Sequence, residues 1–123
     1  MENSTFKTRY SDEELEEFRV LIQQTLDKAR LQLKYNLDQL EENESSGDNK
    51  LKGLDDAIGS MEKEQLSLIA ARQRKHIQHL ENALLRIENK VYGICRETGE
   101  LIAKERLKAV PHATLSIHAK NKR

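Results

Sequence analysis

Two adjacent carboxylates, Asp55 and Asp56, stand in a polar stretch from Glu44 to Ser60 that reads Glu-Ser-Ser-Gly-Asp-Asn-Lys-Leu-Lys-Gly-Leu-Asp-Asp-Ala-Ile-Gly-Ser. Carboxylates at such a place can help to hold a metal ion, or can set negative charge against a cation or a metal centre of a partner. One thiol, Cys95, and four imidazoles, His76, His79, His112 and His118, are the other groups with chemistry to offer. None of them stands in a Ser/His/Asp or Cys/His pattern, and no glycine-rich phosphate loop is present, so the chain does not read as an enzyme. A single cysteine excludes an intrachain disulfide and a multi-cysteine metal site within one chain. Arg72, Arg74 and Lys75 form a small basic group that reads as a solvated face or a protein-contact patch sooner than as a surface that reads bases.

The elements that must position these groups are helical. Ser11 followed by Glu14 has the spacing of a capping box, and Asp12 and Glu13 put negative charge at the positive end of a helix dipole. From there Leu15, Phe18, Ile22, Leu26, Ala29, Leu33, Leu37 and Leu40 recur at steps of three and four. That pattern predicts a helix of roughly 30 residues, about 45 Å long at 1.5 Å per residue. A second stripe, Met61, Leu66, Ile69, Gln73, Ile77, Leu80, Leu84, Ile87 and Val91, follows the polar break. Two such stripes joined by a glycine-containing reversal make an antiparallel coiled-coil hairpin, with Asp55 and Asp56 held at its tip.

Past Val91 a short apolar run, a turn and an apolar pair, Tyr92 to Ile102, predict a small hairpin or knuckle, and Lys104 to Ala109 a brief helix. A piece this small leans on the base of the hairpin to fold. The expected organisation is an N-terminal arm over 1–10, a coiled-coil hairpin over 11–91 with its tip at 45–60, a knuckle region over 92–119 and a basic tail over 120–123.

Composition agrees with extended, solvent-washed helices: 34% of residues are charged, 37% hydrophobic and 4% aromatic, with no Trp. The zero net charge hides an asymmetry. Residues 1–62 carry 15 acidic and 8 basic side chains, and residues 63–123 carry 6 and 13. No basic-then-apolar leader opens the chain and no apolar run of membrane-spanning length occurs, so a cytoplasmic location is expected.

The segment Tyr92-Gly93-Ile94-Cys95-x-x-Thr98-Gly99-Glu100-x-Ile102, followed by Arg106-Leu107-x-Ala109-x-Pro111-x-Ala113-x-Leu115-Ser116-Ile117-x-Ala119-Lys120, resembles the C-terminal zinc-finger region of the DksA/TraR family. The resemblance extends back through the coiled coil to the tip. Of the family's four cysteine positions only Cys95 keeps its cysteine; the others are Thr98, Ser116 and Ala119. One thiolate with two hydroxyls is not a tetrahedral zinc site, so a degenerate knuckle without zinc is expected, with Cys95 a small buried residue and the hydroxyls bonded to each other or to backbone. The family's Asp-x-x-Asp-x-Ala tip motif falls on Lys52, Asp55 and Ala57, with Lys52 in place of the first aspartate and Asp56 or Asp48 near enough to compensate. Two positions of the family's ppGpp site fall on His79 and Val110, so co-regulation by ppGpp is not expected.

What the resemblance implies is a regulator of transcription in bacteria. The coiled coil would enter the secondary channel of RNA polymerase, bound as a monomer, and Asp55, Asp56 and Ala57 at the tip would modulate initiation without direct sequence-specific DNA binding or any membrane contact. Two other functions fit the same hairpin: a Gre-like factor whose acidic tip helps hold a metal ion and stimulates transcript cleavage, and a coiled-coil scaffold or dimerisation module.

Overall fold

The computed structural model describes the backbone of residues 8–47 and 54–121 and the side chains of residues 8–42 and 61–121. Four helices follow in order: α1 (Asp12–Gly47), α2 (Leu54–Glu88), α3 (Lys104–Ala109) and α4 (Ile117–Asn121). Among the described residues there is no strand, only an antiparallel bridge between Ile94 and Leu101. The fold is mainly α, as the periodicity requires. Helix extends further into the polar break than expected, through Gly47 on one side and from Leu54 on the other, so Asp55, Asp56 and Ala57 belong to the first turn of α2.

The chain divides into two compact units, Met1–Leu26 with His79–Arg123, and Asp27–Gln78. In the first, α1 begins with the capping box that its sequence announces: the Ser11 N–H donates to Glu14 Oε1 at 2.9 Å and the Glu14 N–H to Ser11 Oγ at 3.1 Å. Leu15, Phe18, Ile22 and Leu26 of α1 and Leu80, Ala83 and Ile87 of α2 are buried with Tyr92, Ile102 and Leu107 from the C-terminal region. Tyr10 is buried too, so the expected arm is tied down at its last residue. It stands at N′, before the cap Ser11, where a hydrophobic staple to Leu15 at N4 belongs. Its ring meets Phe18 edge-on at 5.6 Å, and Phe18 in turn lies 5.2 Å from Tyr92. The Tyr10 hydroxyl donates to the Ile102 carbonyl.

α2 ends in a Schellman arrangement. The Lys90 N–H donates to Ile87 O and the Val91 N–H to Arg86 O, with Lys90 at φ 65° in the left-handed position usually given to glycine. Lys90 Nζ lies 2.8 Å from Asp12 and Lys104 Nζ 2.7 Å from Glu14, so cations from two later elements reach the acidic first turn of α1.

In the second unit the seam is thinner. Ala29, Leu33, Leu37 and Leu40 are half-buried, as are Leu66 and Ile77, and among the described residues only Asn36 and Ala70 are buried. The Asn36 side-chain amide donates to Gln73 Oε1 at 2.9 Å across the two helices. Three residues expected in the α2 stripe, Met61, Ile69 and Val91, are exposed, Met61 to 67%. The cause is register. Alternating steps of three and four run Lys63, Leu66, Ala70, Gln73, Ile77, Leu80, Leu84 and Ile87, a 3.5-residue period that skips Met61 and Ile69, while Val91 lies beyond the last turn of α2.

Candidate functional site

At the reversal, Asp55, Asp56 and Ala57 occupy consecutive places in the first turn of α2, the end at which the helix dipole favours negative charge. Consecutive helical residues are turned by about 100°, so the two aspartates occupy different sides of that turn. Their side chains lie outside the described residues, as do Asp48 and Lys52 altogether.

The knuckle is fully described. Cys95 and Gly93 pair across the turn with the returning chain: Cys95 N–H to Glu100 O at 2.7 Å, Ile102 N–H to Gly93 O at 2.7 Å and Gly99 N–H to Cys95 O at 2.8 Å. Gly93 has φ +80°, and a Cβ built there would lie 2.7 Å from the ring of Tyr10. Only glycine fits both demands. A second layer closes from the C-terminal side: Arg96 N–H to Thr114 O at 2.9 Å, Arg106 Nε to Leu115 O at 2.8 Å and the buried Tyr92 hydroxyl to Pro111 O at 2.8 Å. Ser116 caps α4, its Oγ accepting the Ala119 N–H at 3.1 Å. This short helix was not expected from the sequence, although the serine that starts it is a standard cap residue.

Cys95, Thr98, Ser116 and Ala119, the four positions expected to correspond to zinc ligands, lie in or beside this knuckle. Cys95 is buried, 1% exposed, and Ala119 is buried with it. The Thr98 hydroxyl hydrogen-bonds to the thiol and, with the Ser116 N–H and the N–H groups of Thr98 and Glu97, pulls its pKa down to about 6 against the opposing effect of burial. Thr98 Oγ1 also accepts the Glu100 N–H at 3.2 Å. Each hydroxyl therefore bonds to a local group, Thr98 to the cysteine and backbone and Ser116 to backbone. One thiol, two hydroxyls and a methyl do not fit a tetrahedral zinc ion. Among the described residues no group of three or more His, Cys, Asp or Glu side chains is placed to hold a metal. The nearby imidazoles take other positions: His112 stacks on His79 with ring centroids 5.3 Å apart, and His118 is exposed.

Sequence reasoning did not single out Tyr10, Asn36 or the aromatic group of Tyr10, Phe18 and Tyr92. The staple spacing was available for the first, and the heptad register for the second.

A family model described as "Prokaryotic dksA/traR C4-type zinc finger" matches residues 90–123. The chain is 49% identical over 51 residues to the "RNA polymerase-binding transcription factor DksA" of Caulobacter vibrioides, a match that covers 42% of this chain and 36% of that protein. It is 40% identical over 60 residues to the "Uncharacterized protein YteA" of Bacillus subtilis, covering 49% of this chain and 25% of that one. These matches thus span about a third or less of the relatives' lengths. The solved structure of transcription factor DksA2 from Pseudomonas aeruginosa superposes with a TM-score of 0.80 at 27% identity, covering 88% of this chain and 81% of that one. From the knuckle motif, the helical fold and these likenesses together, the chain is similar to the DksA/TraR family, in sequence over its C-terminal region and in fold over most of its length.

Proposed function

We propose that this protein is a non-catalytic regulator of transcription that binds bacterial RNA polymerase through the α1/α2 hairpin, with the tip inserted in the secondary channel to modulate initiation. The observation that carries this reading is the likeness to DksA2 over most of both chains, helices and knuckle together. The relative named for RNA polymerase binding supports the partner. Asp55 acts there by placing negative charge near the polymerase's metal-bearing centre, with no bond made or broken by this chain. Helical backbone across Asp55 and Asp56 favours this role over cleavage stimulation, because side-by-side chelation of one ion asks neighbouring carboxylates to converge.

The test is a binding measurement with purified bacterial RNA polymerase, with and without a competitor for the secondary channel, followed by promoter-complex lifetimes with Asp55→Asn. Competed binding, with lifetimes altered by the wild type and unaltered by the variant, is expected. Binding that the competitor does not displace would overturn the docking mode. Stimulated transcript cleavage on stalled complexes would favour the Gre-like reading.

A further inference from the structure

The carboxylates of the hairpin are absent from one stretch of it. Along α1 they stop at Asp27 and resume at Asp38, and along α2 they stop at Glu64 and resume at Glu81. Between those limits stand six cations, Lys28, Arg30, Lys34, Arg72, Arg74 and Lys75, all exposed. The Asn36–Gln73 hydrogen bond fixes the antiparallel register of the two helices here, which sets residues 31–37 of α1 alongside 72–78 of α2. The two carboxylate-free stretches therefore overlap in space, and Arg30, Lys34, Arg72, Arg74 and Lys75 form one positive zone on the second unit, with Lys28 at its end beside Asp27.

The cations do not share one face. At about 100° per residue, Arg30 and Lys34 fall on one flank of α1 and Lys28 on another, while Arg72, Arg74 and Lys75 are spread around α2. The zone is a belt. It also exposes Leu31 and Tyr35, by 68% and 60%. Lys34 lies 3.5 Å from Asp38 at the edge of the belt, an exposed pair that a partner's carboxylate can replace.

We infer that this belt is a docking surface for a carboxylate-bearing protein wall, the acidic contact of the polymerase in the reading proposed above, on which this inference rests. Charge complementarity selects that occupant. A duplex or a single strand is a continuous polyanion with one charge every few ångströms. The belt is about 15 Å long at 1.5 Å per residue, and acidic residues bound it, Asp27 before and Asp38, Glu41 and Glu42 after on α1, Glu62 and Glu64 before and Glu81 after on α2. A polyphosphate that followed the hairpin would run into those carboxylates, and one lying across it would reach a single side of the belt. A protein wall with a local acidic patch and apolar neighbours meets cations on several sides and also covers Leu31 and Tyr35.

The experiment compares the full chain with a belt variant, Arg30→Gln, Lys34→Gln, Arg72→Gln, Arg74→Gln and Lys75→Gln, in binding to purified bacterial RNA polymerase across a salt series, with helicity checked by circular dichroism. A second variant, Arg72→Lys with Arg74→Lys, keeps the charge. We expect the belt variant to bind at least about tenfold more weakly at ~50 mM salt, the gap to close by ~500 mM, and the charge-conserving variant to bind within about threefold of the wild type. Equal binding of wild type and belt variant at low salt would overturn the belt and leave the proposed function standing. Failure of the wild type itself to bind would overturn that function and this inference with it. Belt-dependent binding to a 30-mer DNA duplex or RNA strand, as tight as to the polymerase, would overturn the choice of a protein partner.

Discussion

Gly93 and Gly99 show how two glycines of one small motif differ in what they are for. Both adopt the left-handed backbone, φ +80° and +76°. Beside Gly99 there is open space, whereas a Cβ added at Gly93 would lie 2.7 Å from the Tyr10 ring and 3.2 Å from Leu107. Gly99→Ala then carries only the conformational cost, about 1 kcal/mol. Gly93→Ala adds a clash with a ring anchored at Ile102 and packed on Phe18, and should cost about 2–4 kcal/mol. Urea unfolding of the two variants checks the ranking. Cys95 gives a second prediction at this scale. Its folded pKa of about 6 lies below the ordinary thiol value of ~8.5, so its contribution to stability is fully present above the unfolded value and is lost as pH falls through the folded one. Cys95→Ala should remove a downward slope in stability between pH ~8.5 and ~6 that the wild type shows. Unfolding midpoints across that window measure it, and a slope that survives the substitution would assign it to other groups.

At the scale of elements, the knuckle is held by backbone bonds and packing from three sides. Its turn is held by the Cys95, Gly93 and Ile102 backbone bonds, its far side by Arg106 and Tyr92, and its face against α1 by the ring of Tyr10. None of these needs a cation. A strong chelator should leave the thermal midpoint of the full chain unchanged to within about 1 °C, and added zinc should not raise it; a fall of several degrees on chelation would mean that metal binding is part of the folding energy here. Much of this element was legible before the structure. The motif spacing from Tyr92 to Ala119 marked the knuckle, Ser11 and Glu14 marked the start of α1, and Lys104 to Ala109 is helix as expected. What was not legible follows from reading apolarity in place of register. Asn36 sits in the seam because the heptad puts it there, with Gln73 to satisfy it, while Met61 and Ile69 are apolar and out of phase. The short helix α4 is set by Ser116 and by tertiary packing of Ala119, which five residues of propensity could not announce. The tip motif was legible as a pattern of charge, and its helical backbone was not, because a glycine and aspartate run reads as loop until a helix N-terminus claims it.

At the scale of the whole molecule, burial is unequally shared between the two units, and this sets how the chain should open. The first unit buries Leu15, Phe18, Ile22, Leu26, Leu80 and Tyr92 among others, each such side chain contributing about 1.5–3 kcal/mol relative to exposure. In the second, Asn36 and Ala70 are the buried residues among those described, and half-buried leucines do the rest. Helix propensity over residues 27–42 and 61–78 is high, but a two-helix seam so lightly buried gains little from closing. Local opening of the second unit should therefore cost much less than global unfolding, while the first unit opens only with the whole. Native-state hydrogen exchange is the measurement. Amides of residues 27–42 and 61–78 should exchange at least about tenfold faster than those of 15–26 and 80–87, with Asn36 and Gln73 marking the slowest point of the faster region, since their bond ties the two helices across that seam. Uniform protection along α1 and α2 would show instead that the two units open as a single cooperative body, and that the thin seam is supported by more than the side chains it buries.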